Sequence, residues 1–412
     1  MLYKLNNSVK LFNINDINMI GNINNGSIIG LDSNGLSLVK KIMNNYSIDI
    51  DDLDDNSKEL LENMIELDFF DDKEENSKLN SAYVHITDNC NLHCIGCYSY
   101  IDNRNTSKDL SLEQICIIFD KLSKSGVRKV IISGGEPFLR NDIVEICKYI
   151  KNNTKICELG VITNGTQDIE KYYKAIPFID ILSISIDGYD EATQFIRDKD
   201  IMSTVIETIK KLKSKTKIHL ISTLHKKNKS FMKEYINFGK ELGVTVSFSI
   251  LSVDCNRSEK LKDFVLSSSD LTDISNTLSK MDKEYINTQK FLDNFELYCK
   301  DRCEAGRSLI SIDSKGNIYP CHMLHIEELK LGNLLIDDLD SVINNPINKF
   351  RDIKVDNINT CFECDYKYLC GGGCRARSYY KHKNILEKDS YCQFQKNYFN
   401  VIFDNLNKLV NN

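Results

Sequence analysis

The 412-residue chain has no apolar run of 18 or more residues, the length a membrane-crossing helix needs. Its first residues, Met1-Leu2-Tyr3-Lys4-Leu5-Asn6-Asn7, do not form a signal peptide. It also lacks a basic surplus. Net charge is −6 and the isoelectric point about 5.8, so the electrostatic footprint of a nucleic-acid enzyme is missing. The one lysine-rich stretch, 210–217, falls at a helix-to-strand turn and reads as solvated surface. These absences predict a soluble, cytoplasmic protein with no nucleic-acid and no membrane partner. In that compartment the 15 cysteines are a poor disulfide framework, and metal or redox use is the better reading. The richness in Asn, Ile and Lys carries no functional information.

The length and a hydrophobic content of 42% allow two or three domains with real cores. Residues 1–78 read as a small separate domain. Strand-like Ser8–Phe12 and Gly26–Leu31 flank Asn24-Asn25-Gly26, a hairpin signal. Ser33 is expected to cap a helix carrying Leu36, Val39, Ile42 and Met43, and a second helix carries Leu60, Leu61, Met64 and Ile65. Residues 71–78 are a charged linker. From 79 to 255 strands alternate with helices. Strands are expected at 82–87, 128–133, 157–163, 179–186, 216–223 and 244–251, with helices near 111–125, 140–152, 168–174, 190–213 and 229–242. Such alternation implies a parallel sheet. Six units fall short of a full eight-unit barrel, so the expected fold class is α/β, a partial (β/α)6 TIM-like barrel. Residues 256–298 form a charged, helix-rich connector, and 299–412 a cysteine-rich domain with short strands.

Cys90, Cys94 and Cys97 follow the strand-like Ala82–Ile86 at CxxxCxxC spacing. Three thiolates at these intervals can hold three corners of a cubane and leave one iron without a protein ligand. A ferredoxin site supplies four cysteines, and a structural zinc site four ligands. A zinc knuckle or a buried thiol cluster remain the alternatives. In a parallel barrel the chemistry sits beyond the C-terminal strand ends. There, after Val130–Ser133, stands Gly134-Gly135-Glu136-Pro137, whose glycines let the backbone approach a ligand closely. After the next two strands come Thr163-Asn164-Gly165 and Ser183-Ile184-Ser185-Ile186-Asp187-Gly188.

This constellation resembles the radical S-adenosylmethionine (SAM) enzymes. The resemblance implies that Cys90, Cys94 and Cys97 carry the catalytic [4Fe–4S] cluster. Its open iron would chelate the amino and carboxylate groups of SAM, and one electron would cleave SAM to a 5′-deoxyadenosyl radical. It further implies that Tyr98, Gly134, Gly135, Glu136, Pro137, Asn164, Ser185 and Asp187 line the SAM site. Arg197 resembles the arginine that pairs with the SAM carboxylate, a task suited to a forked guanidinium. The alternative for Arg197 is a surface arginine on a helix.

The C-terminal third reads Cys303, twelve residues, Gly316, four residues, Cys321, then Cys361-x2-Cys364-x5-Cys370-x3-Cys374 and Cys392. This resembles the seven-cysteine SPASM domain, which implies two auxiliary [4Fe–4S] clusters. Carried over, Cys361, Cys364, Cys370 and Cys392 belong to the distal cluster, and Cys303, Cys321 and Cys374 to the one nearer the barrel. Gly371-Gly372-Gly373 would permit a tight backbone wrap. Cys299 is an eighth candidate, and its CxxxC spacing to Cys303 favours a nearer cluster saturated by four cysteines. With only three, that cluster would keep an open iron able to bind a substrate thiolate. A zinc ribbon at Cys361–Cys374 is the alternative. Cys116, Cys147 and Cys157 read as small buried hydrophobes, and Cys255, after the sixth strand, as a lesser candidate for lining the site.

The whole is expected to be a radical SAM/SPASM enzyme of the peptide maturase type. The N-terminal segment resembles the winged-helix, PqqD-like domain that binds the leader of a precursor peptide; a plain packing extension is the alternative. The expected reaction is oxidative modification of a ribosomally synthesised peptide, with a thioether cross-link from cysteine to carbon as the specific expectation. Carbon–carbon links and decarboxylation stay open. The auxiliary clusters would accept or relay the second electron. Expected partners are the precursor peptide and a flavodoxin- or ferredoxin-type electron donor. Formylglycine-forming sulfatase maturases share the architecture but carry Asp after the cysteine matching Cys321, where this chain has His322. A non-catalytic electron carrier would not explain Gly134–Pro137 beside the three-cysteine motif.

Overall fold

Asn15 and Asp16 adopt positive φ (47° and 65°) and turn the first strand, β1 (Val9–Ile14), back into β2 (Ile17–Asn22). Asn and Asp tolerate this left-handed conformation better than other side chains do. In the computed structural model, which describes residues 3–70, 79–102, 104–106, 108–252, 259–278, 280 and 297–410, the expected turn at Asn24–Gly26 joins β2 to β3 (Ile28–Leu31). The N-terminal segment is therefore a three-stranded antiparallel sheet, one strand more than the sequence suggested. Helix α1 (Ser33–Met43) is capped by Asp32 rather than Ser33, since the Asp32 carboxylate accepts from the Gly35 N–H at 2.7 Å. Asp54 caps α2 (Asp55–Glu66) in the same way. Ile20, Leu31, Val39, Met64 and Phe69 close the core between sheet and helices. The linker expected at 71–78 lies outside the described residues.

Six parallel strands follow in sequence order: β4 (Ser81–His85), β5 (Lys129–Ser133), β6 (Glu158–Thr163), β7 (Ile181–Ile186), β8 (Lys217–Leu224) and β9 (Thr245–Ile250). Each matches an expected strand. Between them run α3 (Leu112–Lys124), α4 (Ile143–Asn153), α5 (Ile169–Ala175), α6 (Met202–Leu212) and α7 (Met232–Leu242). Alternation along a strand sends one face to the helices and the other to the barrel interior. On β7, Leu182, Ile184 and Ile186 join the helix-packed core, leaving Ser183, Ser185 and Asp187 on the other face. The single helix expected over 190–213 is not formed. The Asp187 carboxylate gathers the N–H groups of Phe195, Ile196 (2.5 Å) and Arg197 (3.2 Å), so these donors are diverted from helical bonds. Only a 3-10 turn, Glu191–Thr193, precedes α6.

The C-terminal domain is joined to the barrel through its sheet. Strand β10 (Leu309–Ile312) pairs in parallel with β4, with Ser311 opposite Tyr83. Hairpin partners β11 (Asn317–Tyr319) and β12 (Gly332–Asn333) extend this to nine strands. The connector contributes α8 (Ser268–Leu278), and the cysteine-rich region adds α9 (Leu339–Ile343), α10 (Lys367–Cys370), α11 (Arg375–His382) and α12 (Cys392–Val410). The N-terminal sheet rests on this domain. The Cys299 N–H donates to the Gly26 carbonyl at 2.8 Å, and the Phe12 and Tyr368 rings meet edge-on at 5.8 Å. Cys255 lies outside the described residues.

Candidate active site

The loop after β4 carries Cys90, Cys94 and Cys97 and is fixed by backbone bonds. The Cys90 N–H donates to the Asn105 side chain (2.8 Å), His93 N–H to the Asp198 carboxylate (2.9 Å) and Ile95 N–H to the Ile196 carbonyl (2.6 Å). Burial pushes the Cys90 and Cys94 thiols up. Burial acts the same way on Cys97, but the Arg104 guanidinium, 3.2 Å from its sulfur, and the Ser99 hydroxyl outweigh it and bring that thiol down. Arg197 reaches the Cys94 sulfur at 3.8 Å. Three cysteine sulfurs on one loop, two of them faced by the guanidinium groups of Arg104 and Arg197, are a donor set that fits three corners of an iron–sulfur cubane.

Gly134 and Gly135 are required by the loop itself. A Cβ on Gly134, whose φ is +132°, would lie 2.3 Å from the Thr87 carbonyl oxygen. One on Gly135 would lie 2.1 Å from that of Asn89. The same carbonyls accept from the N–H groups of Gly135 (2.8 Å) and Glu136 (2.7 Å). The motif thus clamps the cysteine loop by its backbone. Glu136 faces inward, 1% exposed, and accepts from Phe138 N–H (3.0 Å), the Thr163 hydroxyl (2.8 Å) and Asn164 N–H (2.7 Å). Burial raises its carboxyl to about 7 despite these donors. Pro137 opens the following 3-10 turn. The Asn164 side chain donates to Asn91 on the cysteine loop at 2.9 Å. Ser185 stands half-buried on the inner face of β7. Asp187 is 1% exposed and already engaged by three backbone donors and by His225 at 3.4 Å; burial works against its carboxylate, but these partners hold its pKa below the ordinary value. The structure therefore spends Glu136 and Asp187 on holding segments together.

A group that the sequence reading did not bring together lies where β4 meets β10: Tyr98 and His322 were singled out separately, His85 and His325 not at all. Tyr98, directly after Cys97, bonds the Ser133 hydroxyl at 3.0 Å and meets His85 and His322 edge-on at 5.9 and 5.5 Å. His322 directly follows Cys321 and stacks on Tyr83 at 4.3 Å. His325 approaches His85 at 4.6 Å and bonds the Ser311 hydroxyl at 2.8 Å. Burial, with the other two rings, holds His85 well below its usual pKa, and burial brings His322 and His325 to about 4. All three are neutral near pH 7. His85 Nε2 and His322 Nδ1 are buried without a hydrogen-bond partner. Strand alternation could have flagged His85 as an inward-facing residue at a C-terminal strand end. Nothing local announced His325, because its place depends on the β4–β10 pairing.

In the C-terminal domain Cys361, Cys364, Cys370 and Cys392 line one pocket. Cys303, Cys321 and Cys374 share a second apolar cluster. Gly371, Gly372 and Gly373 all take positive φ (62°, 83° and 72°), which only glycine adopts three times in succession without strain. Cys299 is the exception. A Cβ on Gly21 would lie 2.7 Å from the Cys299 sulfur, so this thiol is packed against β2 of the N-terminal sheet. The charged groups acting on it are Asp301 and Lys10, and burial pushes it up to about 12. Its backbone N–H is tied to the Gly26 carbonyl, so the expected eighth ligand lies against the N-terminal sheet. Cys147 is buried as expected, Cys116 is half-buried, and Cys157 is exposed, contrary to its reading as a small core residue.

The radical SAM superfamily profile matches residues 84–239, and an iron–sulfur cluster-binding domain profile, SPASM, matches 303–365. An AdoMet-dependent heme synthase from Methanosarcina barkeri is 25% identical over 75% of this chain and 95% of its own. Mycofactocin maturase MftC from Mycolicibacterium smegmatis is 24% identical over 74% and 80%. Among solved structures, anSMEcpe with bound AdoMet superposes with a TM-score of 0.66 at 20% identity, covering 81% of this chain and 99% of that one. Streptococcus suis SuiB bound to precursor peptide SuiA gives 0.60 at 19%, covering 95% and 100%. Among the described residues no helix is long and apolar enough to cross a membrane. With a three-cysteine loop clamped to a GGEP segment at the mouth of a partial barrel, and cysteine groups behind it, the chain is a radical SAM enzyme with a SPASM iron–sulfur domain, using SAM and [4Fe–4S] clusters as cofactors.

Proposed function

We propose that this enzyme oxidatively modifies a ribosomally synthesised precursor peptide in the cytoplasm, closing a thioether between a substrate cysteine and a carbon. The observation that carries the proposal is the seam between barrel and SPASM domain. The β4–β10 pairing puts Tyr98 beside His322, so one ring contact of 5.5 Å separates a neighbour of Cys97 from a neighbour of Cys321. A substrate held there faces both cysteine groups. Cys90, Cys94 and Cys97 hold the SAM-cleaving cluster. Arg197, Asn164, Ser185, Tyr98 and the backbone of Gly134–Pro137 shape the SAM site. Cys303, Cys321 and Cys374 hold the nearer auxiliary cluster, and Cys361, Cys364, Cys370 and Cys392 the distal one. When bound, SAM supplies the radical, and the clusters supply and remove single electrons. The packing of Cys299 against Gly21 supports counting three cysteines in the nearer group, which would leave a position for a substrate thiolate and favours the thioether over other oxidations. The neutral rings of His85 and His325 keep the seam free of fixed charge; the carbon-bound hydrogen would pass as an atom to the radical, the thiol hydrogen as a proton to solvent, and the remaining electron to a cluster.

This reading has a direct test in Cys299→Ala. The auxiliary paramagnetic spectrum and iron content should not change, and the wild-type spectrum should already respond to a cysteine-containing peptide. A fourth-ligand role for Cys299 predicts the opposite on both counts.

Residues 1–78 act as the leader-binding domain, 79–255 as the radical SAM core, 256–298 as connector and 299–412 as the SPASM domain. A leader would add a strand to the outer edge of β3, which no described strand pairs. Since the Asn22 N–H bonds the Ser27 carbonyl, the two-residue alternation of the ladder turns the Gly30 N–H outward. A Cβ at Gly30 meets nothing within 4 Å, so Gly30→Pro removes that donor without a clash. We expect SAM cleavage to persist, while KM for the full precursor rises at least about tenfold, the worth of ~1.4 kcal/mol. A leaderless peptide should be processed unchanged. Mass spectrometry should show the loss of two hydrogen atoms and of one alkylatable thiol. Equal KM values for variant and wild type would remove the leader-binding role, and a product that keeps its thiol would remove the thioether.

A further inference from the structure

Outside the seam, the strongest chemical asymmetry lies around the distal cysteine group of the C-terminal domain. Cys361, Cys364 and Cys392 line the inner pocket and also the floor of a concavity of about 340 Å³ that opens to solvent. Its rim carries Lys381, His382, Lys388 and Lys396. Lys381, His382 and Lys388 are exposed, and none of the three lysines makes an ion pair among the described residues. Among the described residues the only carboxylate lining the concavity, Asp389, is 2% exposed and already neutralised by the Arg377 guanidinium at 2.7 Å. Glu363 and Asp365 stand on the neighbouring loop but do not line it. Lys388 and Lys396 act electrostatically on the Cys392 thiol, and Lys396 on that of Cys361. Phe362, between Cys361 and Cys364, presents an apolar ring that is 51% exposed. A basic concavity with cysteine thiols at its floor is thus built into a chain whose net charge is −6.

We propose that this concavity is the docking surface of an acidic one-electron carrier protein of the flavodoxin or ferredoxin class, and that the carrier removes an electron from the distal cluster there. The proposal rests on the assignment of Cys361, Cys364, Cys370 and Cys392 to that cluster. Charge complementarity selects the occupant: three unpaired ammonium groups attract a negative face, and the exposed Phe362 ring offers the small apolar contact of a transient redox interface. A charge ring of this kind raises association rates by about 10–1,000-fold at low salt. The step moves one electron. The cluster is oxidised by one unit, and the carrier is reduced by one. Where the carrier is a flavoprotein, the quinone becomes a semiquinone with a proton from solvent. No bond in the enzyme forms or breaks.

The test uses reconstituted full-length enzyme, pre-reduced and freed of reductant, mixed with oxidised flavodoxin. Wild type should form flavin semiquinone at a rate that falls steeply with salt. Lys381→Glu/Lys388→Glu/Lys396→Glu should slow this at least about tenfold and flatten the salt dependence. Calorimetry should show weaker flavodoxin binding by the same variant. Lys148→Glu/Lys174→Glu/Lys210→Glu, an equal charge change on exposed barrel helices, should behave as wild type. Lys381→Glu alone, at an exposed site, guards against a folding failure and should show a partial effect. Equal rates and equal binding for wild type and the rim variant would overturn the docking surface. The underlying cluster assignment fails separately, if Cys392→Ala leaves auxiliary iron content and the paramagnetic spectrum unchanged.

Discussion

Replacing Cys90, Cys94 and Cys97 together by Ala should reduce release of 5′-deoxyadenosine from SAM to the uncatalysed background, while the iron bound in the C-terminal domain remains. The two outcomes separate because the three thiols and the auxiliary cysteines sit on different elements. The cysteine loop should keep its course without its sulfurs. Its anchors are backbone bonds to Asn105, Asp198 and Ile196, and Gly134 and Gly135 hold Thr87 and Asn89 from behind. The variant should therefore fold, with unchanged circular dichroism and gel-filtration behaviour. Chromatography of the reduced, SAM-treated protein reads the first outcome, and iron analysis the second. SAM cleavage by the triple variant would place the radical chemistry elsewhere in the chain. Loss of all iron would show that the two cysteine regions fold as one unit.

Local periodicity carried most of the fold into the sequence. The six barrel strands were legible because alternate apolar residues, such as Leu182, Ile184 and Ile186, must face the helices whatever else the chain does. Boundaries slipped where a side chain competed with the backbone. Asp32 displaced Ser33 as a cap, and Asp187 dismantled the first turns of the helix expected at 190. The cysteine and glycine motifs were legible as spacing, yet their physical reasons were partly different from those the spacing suggested. Gly134 and Gly135 make room for the cysteine loop itself, and the Glu136 carboxylate ties β6 to the loop after β5. What the sequence hid was long-range. The pairing of β4 with β10 joins residues more than two hundred positions apart, and no local pattern encodes it. His85 and His325 meet only because of that pairing, and the packing of Cys299 against β2 of the N-terminal sheet is equally long-range.

Asp389→Asn should destabilise the C-terminal domain by about 3–5 kcal/mol, because it leaves the Arg377 guanidinium buried without a counter-charge. The pair is nearly sealed: side-chain exposure is 2% for Asp389 and 14% for Arg377. Asp389 also accepts from the Cys374 N–H at 2.7 Å, and its carbonyl accepts from the Cys392 N–H at 3.0 Å. It therefore holds one cysteine from each auxiliary group. A Cβ on Gly373 would lie 2.5 Å from its carboxylate, so no larger residue fits between them. Auxiliary iron of both groups should fall together, and the Cys90–Cys97 iron should stay. Burial works against the carboxylate, but Arg377 and the backbone donors outweigh it and hold the Asp389 pKa below the ordinary value. A depressed carboxyl pKa stabilises the fold fully above the unfolded value of about 3.9, and that contribution disappears as pH falls through the native value. Denaturant melts should therefore show the largest gap between wild type and Asp389→Asn near neutrality, closing on acidification. Asp389→Asn/Arg377→Met should recover much of the loss, since it removes the orphaned charge together with its partner. A single Asp389→Asn variant as stable as wild type at pH 7 would mean that Arg377 finds water or another acceptor. The link between the two auxiliary groups would then rest on the glycine turn at 371–373 rather than on this ion pair.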